Sequence, residues 1–128
     1  MENPLRILVV EDDYLNAEMV REALSDGGFQ TEVVTSGQEA LALLDDNHKY
    51  RALVTDINLQ DEHTGWQVAK RARELFADLP VVYMTGAAAD EWASRGVPNS
   101  VLLNKPFAPA QVVTAVSQLL NDTPPPNE

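Results

Sequence analysis

The sequence contains no cysteine, so neither a disulfide nor a thiolate metal centre can hold the chain together. That absence fits a reducing compartment. Basic residues are scarce, 9 against 20 acidic ones, which leaves a formal charge of −11. Such a surface repels a phosphate backbone, and direct nucleic-acid binding is not expected. Long apolar runs are also missing. None approaches the roughly 20 residues of a membrane-spanning helix, and Met1–Arg6 lack the three-part pattern of a signal peptide. The expectation is a cytoplasmic protein without a membrane partner. No glycine-rich phosphate cradle occurs, which argues against a nucleotide triphosphatase. No internal repeat is present either.

What the chain does have is ordinary globular material, 45% apolar over 128 residues, enough for one domain with a proper core. Short apolar runs alternate with helical patterns. Leu5–Val10 reads as a strand covered on both faces. Residues 14–26 then place Leu15, Met19, Ala23 and Leu24 on one helical face, and Gly27–Gly28 stop that helix. Thr31–Val34 is a second strand. Ser36 and Glu39 have capping-box spacing ahead of Ala40, Leu41 and Leu44. Ala52–Thr55 is a third strand and ends on Asp56. Trp66, Ala69, Ala72 and Phe76 mark the next helix, and Pro80 introduces the strand Val81–Met84. A weaker Ala-rich helix follows around Ala88–Arg95. Val101–Leu103 is the fifth strand, and Pro109 opens a last helix with Val112, Val113, Val116 and Leu119 inward. Five strands interleaved with about five helices predict a doubly wound α/β sheet. The domain is expected over residues 1–121. The tail 122–128, with three consecutive prolines, is expected to be disordered.

In open parallel sheets ligands bind beyond the carboxyl ends of the strands. Glu11, Asp12 and Asp13 follow the first strand. Asp56 follows the third, Thr85 the fourth, and Asn104, Lys105 and Pro106 the fifth. Acids, a hydroxyl and a lysine would therefore share one edge. Carboxylates held together repel one another unless a cation joins them, and hard oxygen ligands at a partly hydrated site suit Mg²⁺. A metal, an ammonium and a hydroxyl donor together supply the positioning and charge neutralisation of phosphoryl transfer. A carboxylate can itself be the nucleophile.

These residues resemble the receiver domains of bacterial response regulators over roughly residues 5–121. The resemblance rests on Val9-Val10-Glu11-Asp12-Asp13, Thr55-Asp56-Ile57-Asn58, Met84-Thr85-Gly86 and Lys105-Pro106-Phe107 in that order. It implies a five-stranded parallel, flavodoxin-like sheet of order 2-1-3-4-5 flanked by five helices. It also implies that Asp56 accepts a phosphoryl group. Asp12 would bind Mg²⁺ directly and Glu11 through water, and the backbone carbonyl of Asn58 would add a third protein contact. Thr85 would donate to a phosphoryl oxygen. Lys105 would pair with Asp56 first and with the phosphoryl group afterwards, its direction set by a cis bond to Pro106. A sensor histidine kinase or a histidine phosphotransfer protein would be the donor, and a downstream protein that the sequence does not name would read the state. The implied type is a stand-alone receiver that catalyses only its own phosphorylation and dephosphorylation.

Two positions depart from the family pattern. The residue three before Lys105 is usually aromatic and here is Leu102. The loop Ile57–Gly65 is one residue longer than the common form and lacks proline. Other readings compete at single positions. Asp13 is most simply an N-cap. His48 and His63 read as solvent-facing loop residues without a second metal ligand, Trp66 and Trp92 as packing residues, and Leu59 as a core anchor under its loop. Two rival functions compete with the signalling module. A small Mg²⁺-dependent aspartyl-phosphate phosphatase for external substrates would need a cap insertion, and a flavodoxin-like cofactor carrier would leave the acidic triplet and Lys105 without purpose.

Overall fold

The structure, a computed structural model, describes residues 6–46 and 50–122. His48 and residues 123–128 of the expected tail lie outside them. Each apolar run forms a strand of 5 residues: β1 Arg6–Val10, β2 Gln30–Val34, β3 Ala52–Asp56, β4 Val81–Thr85 and β5 Ser100–Asn104. All neighbours are parallel, in the order β2-β1-β3-β4-β5. Between them run α1 Tyr14–Asp26, α2 Gly37–Asp45, α3 Gly65–Leu75, the one-turn α4 Trp92–Arg95 behind a 3₁₀ turn Ala89–Glu91, and α5 Pro109–Asp122. The last helix thus takes in Asp122, one residue past the expected boundary.

Side chains alternate across a strand, and the two faces form two cores. Leu8, Val10, Leu53, Val81 and Tyr83 pack under α2 and α3 against Leu44, Trp66, Val68 and Ala72. Ile7, Val9, Val54, Val82 and Met84 pack under α1 and α5 against Val20, Leu24, Val112 and Val116. Coverage on both faces is why β3 and β4 are buried along their whole length and read as unbroken apolar runs.

Local signals explain most boundaries, with two corrections. Asp13 caps α1, accepting from the Asn16 amide at 3.2 Å. Gly28 ends the turn after α1 at φ 96°, a conformation glycine adopts without Cβ strain. The buried stripe of α1, however, is Ala17, Val20 and Leu24, and Leu15 is 78% exposed. Leu15 sits in the first turn beyond the strand ends, so the small Ala17 makes the first buried contact instead. At α2, Ser36 accepts from the Glu39 amide at 3.1 Å, but Glu39 reaches back to Thr35 rather than to Ser36. The reciprocal capping box lies at α3, where Thr64 and Gln67 satisfy each other's amides.

Candidate functional site

The polar strand-end residues converge at the carboxyl edge of the sheet. Glu11 stays in sheet register because its amide donates to the Val34 carbonyl at 3.1 Å, and its side chain is fully buried. A buried carboxylate needs donors, and Glu11 has three. Oε1 accepts from Asn16 Nδ2 and from Lys105 Nζ at 3.0 Å, and Oε2 accepts from the Asp13 amide at 3.1 Å. Burial pushes Glu11 up, but these donors outweigh it and hold the carboxyl below its ordinary range.

Asp56 ends β3 and is also buried. Its Oδ2 lies 3.3 Å from Lys105 Nζ. Burial first, and then the nearby charge of Glu11, push its carboxyl up to about 7 against the pull of Lys105. Asp12, at the half-exposed rim, is raised by burial and by Glu11, while the backbone amide of Gln60 pulls the other way. Burial lowers Lys105, yet Glu11 and Asp56 more than compensate, so it stays an ammonium.

One carboxylate oxygen each from Glu11, Asp12 and Asp56 lie within 4.8 Å of one another. With two of the three carboxyls raised, a single lysine leaves this cluster short of positive charge. An all-oxygen set open to water at Asp12 has the chemistry of a hard divalent cation site, and the residues fit Mg²⁺.

Thr85, at the end of β4, is fully buried, and its hydroxyl accepts from the amides of Ala87 at 3.1 Å and Ala88 at 2.8 Å. It therefore fastens the start of the α4 segment to the strand end. Asn58 is exposed in the loop after Asp56, paired with Thr64 in an isolated antiparallel bridge. The Lys105–Pro106 peptide is cis. Asp13 serves its helix, as a plain N-cap does.

Sequence reasoning missed several contributors. Asn16 supplies a donor to Glu11; the signal was a polar side chain one turn into α1, just ahead of its buried stripe. Gly65 allows the closest approach at the site, because a Cβ there would stand 2.2 Å from the Asp56 carbonyl oxygen and 2.9 Å from Ile57 Cα. His63 is not simply solvent-facing, since its Nδ1 lies 3.1 Å from Asp61 Oδ2. Trp66 does pack, with its ring 4.9 Å from that of Tyr83. Trp92 is 36% exposed and donates to Ser100 Oγ at 3.0 Å. Leu59 packs partly buried against the core under α2 and α3, and so does Leu102. Tyr83, the register partner of Leu102, accepts from the Val97 amide at 3.0 Å, so an aromatic hydroxyl does reach the segment just after α4, from one strand over.

A doubly wound sheet with an acidic cluster, a lysine and a threonine at its carboxyl edge is the arrangement expected of a receiver domain. Residues 7–117 match the response regulator receiver domain, and the chain belongs to that family, the receivers of two-component systems. The response regulator MprA of Mycobacterium sp. (strain KMS) is 32% identical over 124 residues, which are 95% of this chain and 53% of the relative. The chain thus spans about half the length of the curated relatives it matches. The crystal structure of a response regulator receiver protein from Sinorhizobium medicae WSM419 aligns with a TM-score of 0.93 at 43% identity, over 95% of this chain and 98% of that one. The receiver domain of the Francisella response regulator 1452 aligns at 0.79 with 25% identity, over 95% of this chain and all of that one.

Proposed function

We propose that Asp56 accepts a phosphoryl group from a phosphohistidine of a sensor histidine kinase or a histidine phosphotransfer protein, and that the reaction needs Mg²⁺. The observation that carries this reading is the bridge made by Lys105 Nζ, 3.0 Å from Glu11 and 3.3 Å from Asp56, beside three converging carboxylates. Bound Mg²⁺, held by Asp12 and Asp56, with Glu11 acting through water and the Asn58 carbonyl completing the protein contacts, would supply charge to ionise Asp56 and to neutralise phosphoryl oxygens.

An Asp56 carboxylate oxygen attacks phosphorus, the bond from phosphorus to the donor nitrogen breaks, and the imidazole leaves with that electron pair. Lys105 keeps Asp56 oriented beforehand and then moves its charge to the phosphoryl group, while Glu11 retains Asn16 and the Asp13 amide as donors. The Thr85 hydroxyl, which accepts from two amides, still has its own proton to donate to a phosphoryl oxygen.

No external substrate is turned over in this reading. Loop 57–64 is the longest connection at this edge, and among the described residues none forms a cap to enclose a leaving group, so the phosphatase alternative gains no support. The domain signals through protein–protein contact with a downstream partner. No described helix is long and apolar enough to cross a membrane, and the cytoplasm is the compartment in which such a kinase would meet this domain. Acetyl phosphate with MgCl₂ tests the assignment. Intact mass spectrometry should show one added phosphoryl group on the native protein and none on Asp56→Asn. Undiminished labelling of the variant would refute it.

A further inference from the structure

Loop 57–64 is fastened at its ends and at its middle. At the ends, Asn58 pairs with Thr64, and the Gly65 amide donates to the Ile57 carbonyl at 2.8 Å. The middle is held by a different helix. Asp61 Oδ1 accepts from the Gly37 amide at 3.2 Å, and Oδ2 accepts from the Gln38 amide at 2.9 Å. These are the first amides of α2, which have no partner within their own helix. His63 Nδ1 stands 3.1 Å from the same Oδ2. The seat is tight: a Cβ on Gly37 would come 2.5 Å from His63 Cβ and 3.3 Å from Leu59 Cδ1.

Helix α2 already carries its own cap in Ser36, which accepts from the Glu39 amide at 3.1 Å. Asp61 therefore adds a tertiary link rather than a missing local one, reaching partners 23 and 24 positions away. The residue next to it, Gln60, has its backbone amide near enough to Asp12 to pull that carboxyl down. A loop pinned at Asp61 keeps that amide at the acidic cluster.

We infer that Asp61 is a positioning residue for cation binding, because it clamps loop 57–64 to the start of α2 and so holds the loop backbone beside Asp12 and Asp56. It touches no cation itself. Removing the clamp leaves all three carboxylates in place but lets the loop backbone drift from them. The inference rests on the Mg²⁺-dependent reading given above.

The test is calorimetric titration with MgCl₂ of the native protein, Asp61→Ala and Ser36→Ala. The Ser36 variant loses a cap on the same helix without touching the loop. Asp61→Ala should bind Mg²⁺ about tenfold more weakly, the size of effect expected when an orienting group outside the ligand set is removed. Ser36→Ala should stay within about twofold of native. Acetyl phosphate labelling of Asp61→Ala should fall at limiting Mg²⁺ and recover at saturation. Asp61→Asn keeps an acceptor for the α2 amides, should fall between the two, and decides the matter if the alanine variant does not fold. Equal affinity in native and Asp61→Ala, or an equal loss in Ser36→Ala, overturns the inference alone. A native protein that binds no Mg²⁺ overturns the functional reading and the inference together.

Discussion

Replacing Asp56 with asparagine should stabilise the metal-free protein at neutral and alkaline pH. The carboxyl is buried beside Glu11, and its pKa is pushed up to about 7 from an ordinary 3.8. The folded chain therefore keeps this proton over a pH range in which the unfolded chain has lost it. Stability from this group is complete below about 3.8, declines as pH rises toward about 7, and is gone above that. Fully ionised, the group costs the fold at most about 4 kcal/mol. Asparagine has nearly the same shape and does not ionise. Its advantage over the native residue should grow by roughly 2–3 kcal/mol between about pH 5 and about pH 8. Glu11 runs the opposite way, because its lowered pKa gives stability that is lost only as pH falls through and below its ordinary 4.5. Asp12, also raised by burial and by Glu11, is present in both proteins, so above pH 5 the difference between the two profiles reports Asp56. The assay is urea denaturation of both proteins in EDTA across that window, followed by circular dichroism. Millimolar Mg²⁺ should shrink the gap by stabilising the native protein more than the variant, which has lost one carboxylate of the cluster. Parallel pH profiles for the two proteins in EDTA would show that burial does not hold the Asp56 proton in the folded chain.

Mg²⁺ should raise the melting temperature of the native protein, by the equivalent of about 1–3 kcal/mol at ten to a hundred times its Kd. Asp12→Ala should remove most of that response; a melting temperature indifferent to Mg²⁺ would count against the cluster as a cation site. Gly65→Ala should cost about 1–3 kcal/mol in urea denaturation, because its Cβ would stand 2.2 Å from the Asp56 carbonyl oxygen. Acetyl phosphate labelling of the folded fraction should fall with it, and a variant as stable and reactive as native would refute the close approach. Beryllofluoride, a mimic of the phosphoryl group, should change hydrogen exchange across residues 86–96, since a Thr85 hydroxyl drawn to it strains its bonds from the Ala87 and Ala88 amides. The change should persist in Leu102→Ala; unchanged protection across residues 86–96 of the native protein, while the rest of the site tightens, would show that binding at Asp56 does not reach this segment.

The order of elements and the members of the acidic edge were legible in the sequence because both follow from short-range rules. Strands buried on both faces must be continuous apolar runs, and Leu8–Val10 and Val81–Met84 could be little else. Parallel topology then brings residues that end different strands to one edge, so Glu11, Asp56, Thr85 and Lys105 could be grouped before any coordinate was known. The face of α1 was not legible in this way. Leu15 and Ala17 both lie on plausible stripes, and only the position of the helix over the sheet decides which one is covered. Nor could sequence reveal that Lys105 crosses to Glu11 as well as Asp56, or that Asp61 reaches Gly37 and Gln38 on another helix. Periodicity and capping act over a few residues and are written into neighbouring positions. Contacts between residues 23 to 94 positions apart depend on how helices dock on the sheet, and that is settled only when all the layers pack at once.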